Sequence, residues 1–133
     1  MIIAMSAMVF LTLIIGLITL MTRINAARSG AINPAYFELM QGEAPELVIR
    51  TARAFTNQFE VPVLFYLVTI LSLFLMPNDA LNFYLAWLFV FSRYVHAYIH
   101  LSYNHVIHRL LAFMLGLVSV MLMWINLLVH NFF

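Results

Sequence analysis

The chain has 133 residues, 65% of them hydrophobic and only 8% charged, with a mean hydropathy of +1.02. Charged residues make up about a quarter of an ordinary soluble domain, so this composition excludes one and points to lipid. Six basic residues, all arginine, against five acids leave a formal charge of +1, which supports neither a nucleic-acid partner nor a polybasic membrane-surface patch. The absence of cysteine excludes a disulfide framework, a thiolate metal site and a cysteine nucleophile, so any thiol chemistry must use a thiol supplied from outside.

In chain order, Met1 to Thr22 carries no charged side chain, and its apolar run exceeds the core of about 7 to 15 residues in a signal peptide, so it reads as a retained first helix. Arg23 to about Glu46 holds Gly30, Pro34, Gly42 and Pro45 and reads as the one long loop. A second span runs to Met76, where Met76-Pro77-Asn78-Asp79 forms a tight turn. A third covers about Ala80 to His100, a short turn near Ser102 to Asn104 reverses the chain, and a fourth begins at about His105 and continues to the end. With about 20 apolar residues needed per crossing, the reading is an all-α membrane protein. Residues 1–133 form one domain, an up-and-down bundle of four transmembrane helices. Arg23, Arg28, Arg50 and Arg109 fall on one side and only Asp79 on the other, so the positive-inside rule places both termini outside and the long loop in the cytoplasm.

The few charges inside the spans form stripes. Arg53, Asn57 and Glu60 are spaced 0, 4 and 7 on helix 2, and Arg93, His96 and His100 are spaced 0, 3 and 7 on helix 3. Counted back from the turn between these helices, Glu60 lies about 24 Å up one and Arg93 about 21 Å up the other. Charges at membrane depth face the protein interior and pair, so the matching depths predict an ion pair between Glu60 and Arg93. A buried pair can serve only to lock two helices in register. Arg53, Asn57, His96, His100, Tyr103 and Arg109, however, add more donors at the cytoplasmic end than a register lock requires, and this surplus points to an anionic ligand. Pro62 removes the backbone bond to Gln58 and should bend helix 2.

The stretch Arg53-Ala54-Phe55-Thr56-Asn57-Gln58-Phe59-Glu60 resembles the Arg-Ala-x-x-Asn-x-x-Glu signature of the MAPEG family, the membrane-associated proteins of eicosanoid and glutathione metabolism. Ser92-Arg93-Tyr94-Val95-His96 is similar to the Arg-x-x-His stretch of its prostaglandin E synthase members, and Arg109 follows at the start of helix 4. With the four-span layout and a first loop containing Asn33-Pro34, the likeness covers essentially the whole chain, in a bacterial-type member resembling the microsomal glutathione transferases and prostaglandin E synthases. It implies a homotrimer of four-helix protomers with glutathione bound between adjacent protomers near the cytoplasmic side. By the same resemblance Arg53, Asn57, Glu60, Arg93, His96 and His100 hold glutathione and Arg109 stabilises its thiolate. The implied partners are membrane lipids, further copies of the chain and a lipophilic small-molecule substrate, either an electrophile or a hydroperoxide. Thr56, Val61 and His100 depart from the family pattern, standing where an arginine and two tyrosines are expected, and Pro62 comes earlier relative to Glu60 than in the mammalian members. Arg23 or Arg28 would supply the basic residue at the end of helix 1.

Other readings stay open at this level. The family also includes non-catalytic lipid-binding or scaffold members. His96 and His100 with His105 and His108 make a possible two-helix metal or haem set, although they flank an interfacial turn without a carboxylate cluster. His130 reads as interfacial. Gly116, with Ala112 or Ser119, offers close-packing positions to a neighbouring helix.

Overall fold

In a computed structural model, which describes every residue except Pro34, Met40, Gln41 and Phe133 and the side chains of all but these, Leu39 and Phe132, the apolar runs become helices. Helix α1 spans Ile2–Arg28, a short α2 spans Tyr36–Leu39, α3 spans Glu46–Thr56, α4 spans Val61–Leu75, α5 spans Ala80–Leu101 and α6 spans Val106–Phe132. The first helix therefore continues past Thr22, and Arg23 and Arg28 belong to it instead of the loop. It stops at Gly30, whose φ of +69° is a left-handed conformation that suits glycine. There Gly30 N–H donates to Ala27 O and Ala31 N–H to Ala26 O, which together satisfy orphan carbonyls of the last turn. The expected loop contains the single helical turn α2, and Pro34 lies outside the described residues.

The second span is the main departure from the sequence expectation. It is not one bent helix but two, α3 and α4, joined by a 3₁₀ turn at Asn57–Phe59 and by Glu60 at φ −97°, ψ −102°. Pro62 sits in the first turn of α4, where a missing N–H is harmless, so it starts a helix more than it kinks one. At the opposite end of the molecule Asp79 caps α5 by accepting from Asn82 N–H at 2.7 Å.

The core is built by spacing. Ala4, Met8, Leu11 and Ile15 bury one stripe of α1 against Phe65, Val68, Phe89, Val120 and Met123 of α4, α5 and α6, and Phe65 stacks on Phe89 with ring centroids 4.4 Å apart. Helix α5 contacts α1, α3, α4 and α6 and is the most enclosed rod. The faces turned away from this core are equally apolar: Ile3, Phe10, Phe74, Phe91 and Leu111 are all exposed, a surface that water does not tolerate and hydrocarbon does. Three helical segments, Ile2–Arg28, Glu46–Leu75 and Val106–Asn131, are long and apolar enough to cross a membrane. This is an integral membrane protein. Helix α5 has 22 residues, enough for a crossing. It is less apolar because it carries Arg93, His96 and His100, and those three side chains are buried inside the bundle.

Candidate functional site

The break at Glu60 opens one wall of a cleft. Helix α3 is amphipathic, with Val48, Thr51 and Ala54 buried, and it is bolted to α1 by hydroxyls: Thr19 Oγ1 donates to Thr51 O at 3.0 Å, and Thr22 Oγ1 and Thr51 Oγ1 are 3.0 Å apart. This anchoring leaves Arg53, Thr56, Asn57 and Glu60 facing a cleft of about 430 Å³ whose other walls are His96 and His100 of α5 and Val106, Arg109, Leu110 and Phe113 of α6. That volume falls within the roughly 300–1,000 Å³ of small-molecule sites.

Six of the seven residues singled out from the sequence thus line one cleft, namely Arg53, Asn57, Glu60, His96, His100 and Arg109. Arg93 does not. Its side chain, 2% exposed, lies between the rings of Phe89 and Phe113, with the guanidinium carbon 5.6 and 4.9 Å from their centroids, while Nε and Nη2 have no hydrogen-bond partner. The expected Glu60–Arg93 ion pair is not formed: among the described residues the salt bridge within 4.0 Å is Arg50–Glu46. The reason is local. Depth was counted along a continuous helix, whereas the 3₁₀ turn and the backbone at Glu60 turn its carboxylate to an exposed face, and Arg93 stays on the buried face of α5.

Around Arg109 the polar atoms converge. Arg109 Nη1 lies 2.8 Å from Asn104 Oδ1 and 2.9 Å from His100 Nδ1, and His100 Nδ1 is 2.9 Å from Asn104 Oδ1. The backbone carbonyl of the same Arg109 is 3.2 Å from His96 Nδ1. A carbonyl can only accept, so His96 carries its hydrogen on Nδ1 and presents a bare Nε2. The outer nitrogens, His96 Nε2 and His100 Nε2, are buried without a partner.

Asn104 is the residue that sequence reasoning missed. It occupies a left-handed position, φ +49°, that asparagine tolerates better than most side chains, and its N–H closes the α5–α6 turn on Ile99 O at 2.8 Å. An asparagine in a two-helix turn five residues before an arginine was the available signal. Arg50 holds the same turn from α3, donating from Nη1 to Ser102 O at 2.7 Å. His105 and His108 pack on each other at 4.4 Å between centroids on the exposed side of the turn, and Tyr103 Oη is 3.1 Å from His108 Nδ1; none of these three lines the cleft. Arg23 stacks over Phe37 at 6.0 Å.

Compared with known protein families, residues 1–129 match the model of the MAPEG family. The chain belongs to the MAPEG family. No curated protein and no solved structure matched it. In this MAPEG protein the cleft carries three of the family-like positions on the α3 side and three on the α5–α6 side, with Thr56 in its wall. Gly116, expected to allow close helix packing, lets α6 approach α5 at Ser92 and Arg93.

Proposed function

We propose that this MAPEG protein is a glutathione-dependent membrane enzyme that activates the glutathione thiolate for attack on a lipophilic electrophile or hydroperoxide. The observation carrying this reading is the donor set of one cleft: two arginines, two histidines and an asparagine around a single carboxylate, Glu60. That set complements a molecule with two carboxylates, one ammonium group and a thiol. Arg53 and Asn57 suit a carboxylate, Glu60 suits the ammonium, and the two unpartnered imidazole nitrogens call for polar groups from a ligand. Glutathione supplies the nucleophilic sulfur that a chain without cysteine lacks. Arg109 places a fixed positive charge beside that sulfur, and a nearby cation lowers a thiol pKa toward neutrality.

Arg53, Thr56 and Glu60 are exposed on a chain whose other exposed side chains are mostly apolar. Polar groups at that depth are covered by protein in a membrane, which supports a neighbouring protomer over the cleft and is compatible with the homotrimer that the family resemblance implies. In this reading the cleft faces the cytoplasm, with both termini on the other side, because the arginines gather at its end of the bundle.

A second reading, a non-catalytic lipid-binding member of the family, is favoured by one feature. An apolar groove of about 400 Å³ runs along α1 between Ile2, Met5, Val9, Phe10, Leu13 and Tyr66. The purified protein with glutathione and a chlorodinitrobenzene-type electrophile separates the two. Conjugation that is lost in Arg109→Ala supports the enzyme, and absence of conjugation together with absence of glutathione binding supports the lipid binder.

A further inference from the structure

Arg109, Asn104 and His100 form a triangle with sides of 2.8, 2.9 and 2.9 Å, and three such short contacts cannot all be hydrogen bonds. Asn104 Oδ1 only accepts, and the guanidinium of Arg109 only donates. The remaining freedom is the hydrogen of His100. With a hydrogen on Nδ1, a cation would lie 2.9 Å from a donor nitrogen, a charge–dipole repulsion. With Nδ1 bare, Arg109 makes two charge-assisted bonds, to Asn104 Oδ1 and to His100 Nδ1, and the one unfavourable contact is between two neutral acceptors. Charge-assisted bonds are about twice as strong as neutral ones, so the second arrangement wins. It puts the His100 hydrogen on Nε2, which is buried, without a partner and part of a side chain lining the cleft.

The two histidines on this face of α5 therefore carry opposite tautomers. His96 gives its Nδ1 hydrogen to the Arg109 carbonyl and keeps a buried acceptor at Nε2; His100 takes a hydrogen from the Arg109 side chain and keeps a buried donor at Nε2, both on side chains that line the cleft.

Resting on the glutathione reading above, we propose that His100 is a catalytic residue whose Nε2–H donates to the reacting sulfur, with Arg109 polarising the imidazole in addition to setting its charge near that sulfur, and Asn104 acting as the positioning residue. A donor bonded to a cation through its own ring is polarised, and it strengthens its bond as charge develops on sulfur. The thiol proton is released to water at the polar mouth of the cleft, and the sulfur keeps the electron pair. That pair then forms the carbon–sulfur bond, and in a displacement the leaving group departs with the pair of the bond that breaks. His100 stays neutral throughout. The charged and titratable groups around it are His96 on its own helix, with ring centroids 5.9 Å apart, Arg109 on α6, and Arg50 and Arg53 on α3, with Glu60 across the cleft; the pH dependence of the reaction then belongs to the bound thiol.

The test is a titration of the thiolate absorbance of glutathione bound to the full-length protein in lipid nanodiscs, with S-methylglutathione binding as the control for an intact site. His100→Phe removes the donor and should raise the bound thiol pKa by about one unit, a tenfold fall in thiolate near neutral pH. Saturable S-methylglutathione binding by this variant, even if weaker than that of the wild type because His100 lines the cleft, shows that the site is intact. His100→Tyr returns a hydroxyl donor and should bring the pKa back, while Asn104→Ala should move it in the same direction as His100→Phe by a smaller amount. An unchanged thiol pKa in His100→Phe overturns the inference and leaves the proposed function standing. If His100→Phe binds neither ligand, Asn104→Ala decides: an unshifted pKa there overturns the inference too. Failure of the wild type itself to bind glutathione overturns both.

Discussion

Gly116 is the floor on which Arg93 lies: a β-carbon at this position would stand 3.3 Å from Arg93 Nε and 2.5 Å from Ser92 Oγ. Intrinsic helix propensity favours alanine over glycine by about 1 kcal/mol, so at an open site Gly116→Ala would stabilise. Here Ser92 is buried and spends its hydroxyl on Phe89 O at 2.7 Å, and overpacking costs about 1–3 kcal/mol. The clash wins. Gly116→Ala should lower the thermal midpoint in detergent by several degrees, and an unchanged or higher midpoint would show that the two helices can part without loss.

Arg50 is the prop of the α5–α6 turn. Its bond to Ser102 O is charge-assisted, and its side chain is largely covered, whereas its partner Glu46 is 79% exposed. Exposed pairs of this kind contribute a few tenths of a kcal/mol. Glu46→Ala should therefore be nearly silent, and Arg50→Ala should cost about 1 kcal/mol and weaken glutathione binding severalfold by loosening the turn that holds Asn104. Both effects are read by thermal denaturation and equilibrium binding on the same samples; equal effects from the two substitutions would assign the work to the salt bridge instead.

At the far end of the bundle a second polar cluster does a purely structural job. Asn82, fully buried, donates to Ser72 Oγ at 2.8 Å, and Asn126 donates to Asp79 Oδ2 at 2.8 Å and to Asn82 Oδ1 at 3.2 Å. The cluster ties α4, α5 and α6 at one level. Asn82→Leu leaves Ser72 and Asn126 with broken bonds and should destabilise by about 1–3 kcal/mol. None of these residues lines the cleft, so glutathione affinity of the folded fraction should not change.

Much of this was legible in the residues themselves. Uncharged runs located the spans, Met76 to Asp79 marked a turn, and the i, i+3, i+7 spacing of Arg93, His96 and His100 placed all three on the buried face of α5. The same spacing could not show that Arg93 points at Phe89 and Phe113 while its neighbours reach the cleft, because that depends on the rings packed beside it. Pro62 signalled a disturbance in the second span, but a proline says only that one N–H is missing. It does not say that Asn57–Phe59 would tighten into a 3₁₀ turn and swing Glu60 outward. Asn104 was hidden because its role comes from a left-handed backbone and from neighbours on two helices, none of which leaves a periodic trace.

The central claim is that the cleft between α3, α5 and α6 binds glutathione, and equilibrium binding of glutathione to the purified protein in lipid nanodiscs tests it most directly. Saturable binding with a Kd at or below about 1 mM, weakened at least about tenfold by Arg53→Ala and by Glu60→Gln as expected for lost charge-assisted bonds, is the predicted result. No saturable binding, or binding that both substitutions leave untouched, would contradict it.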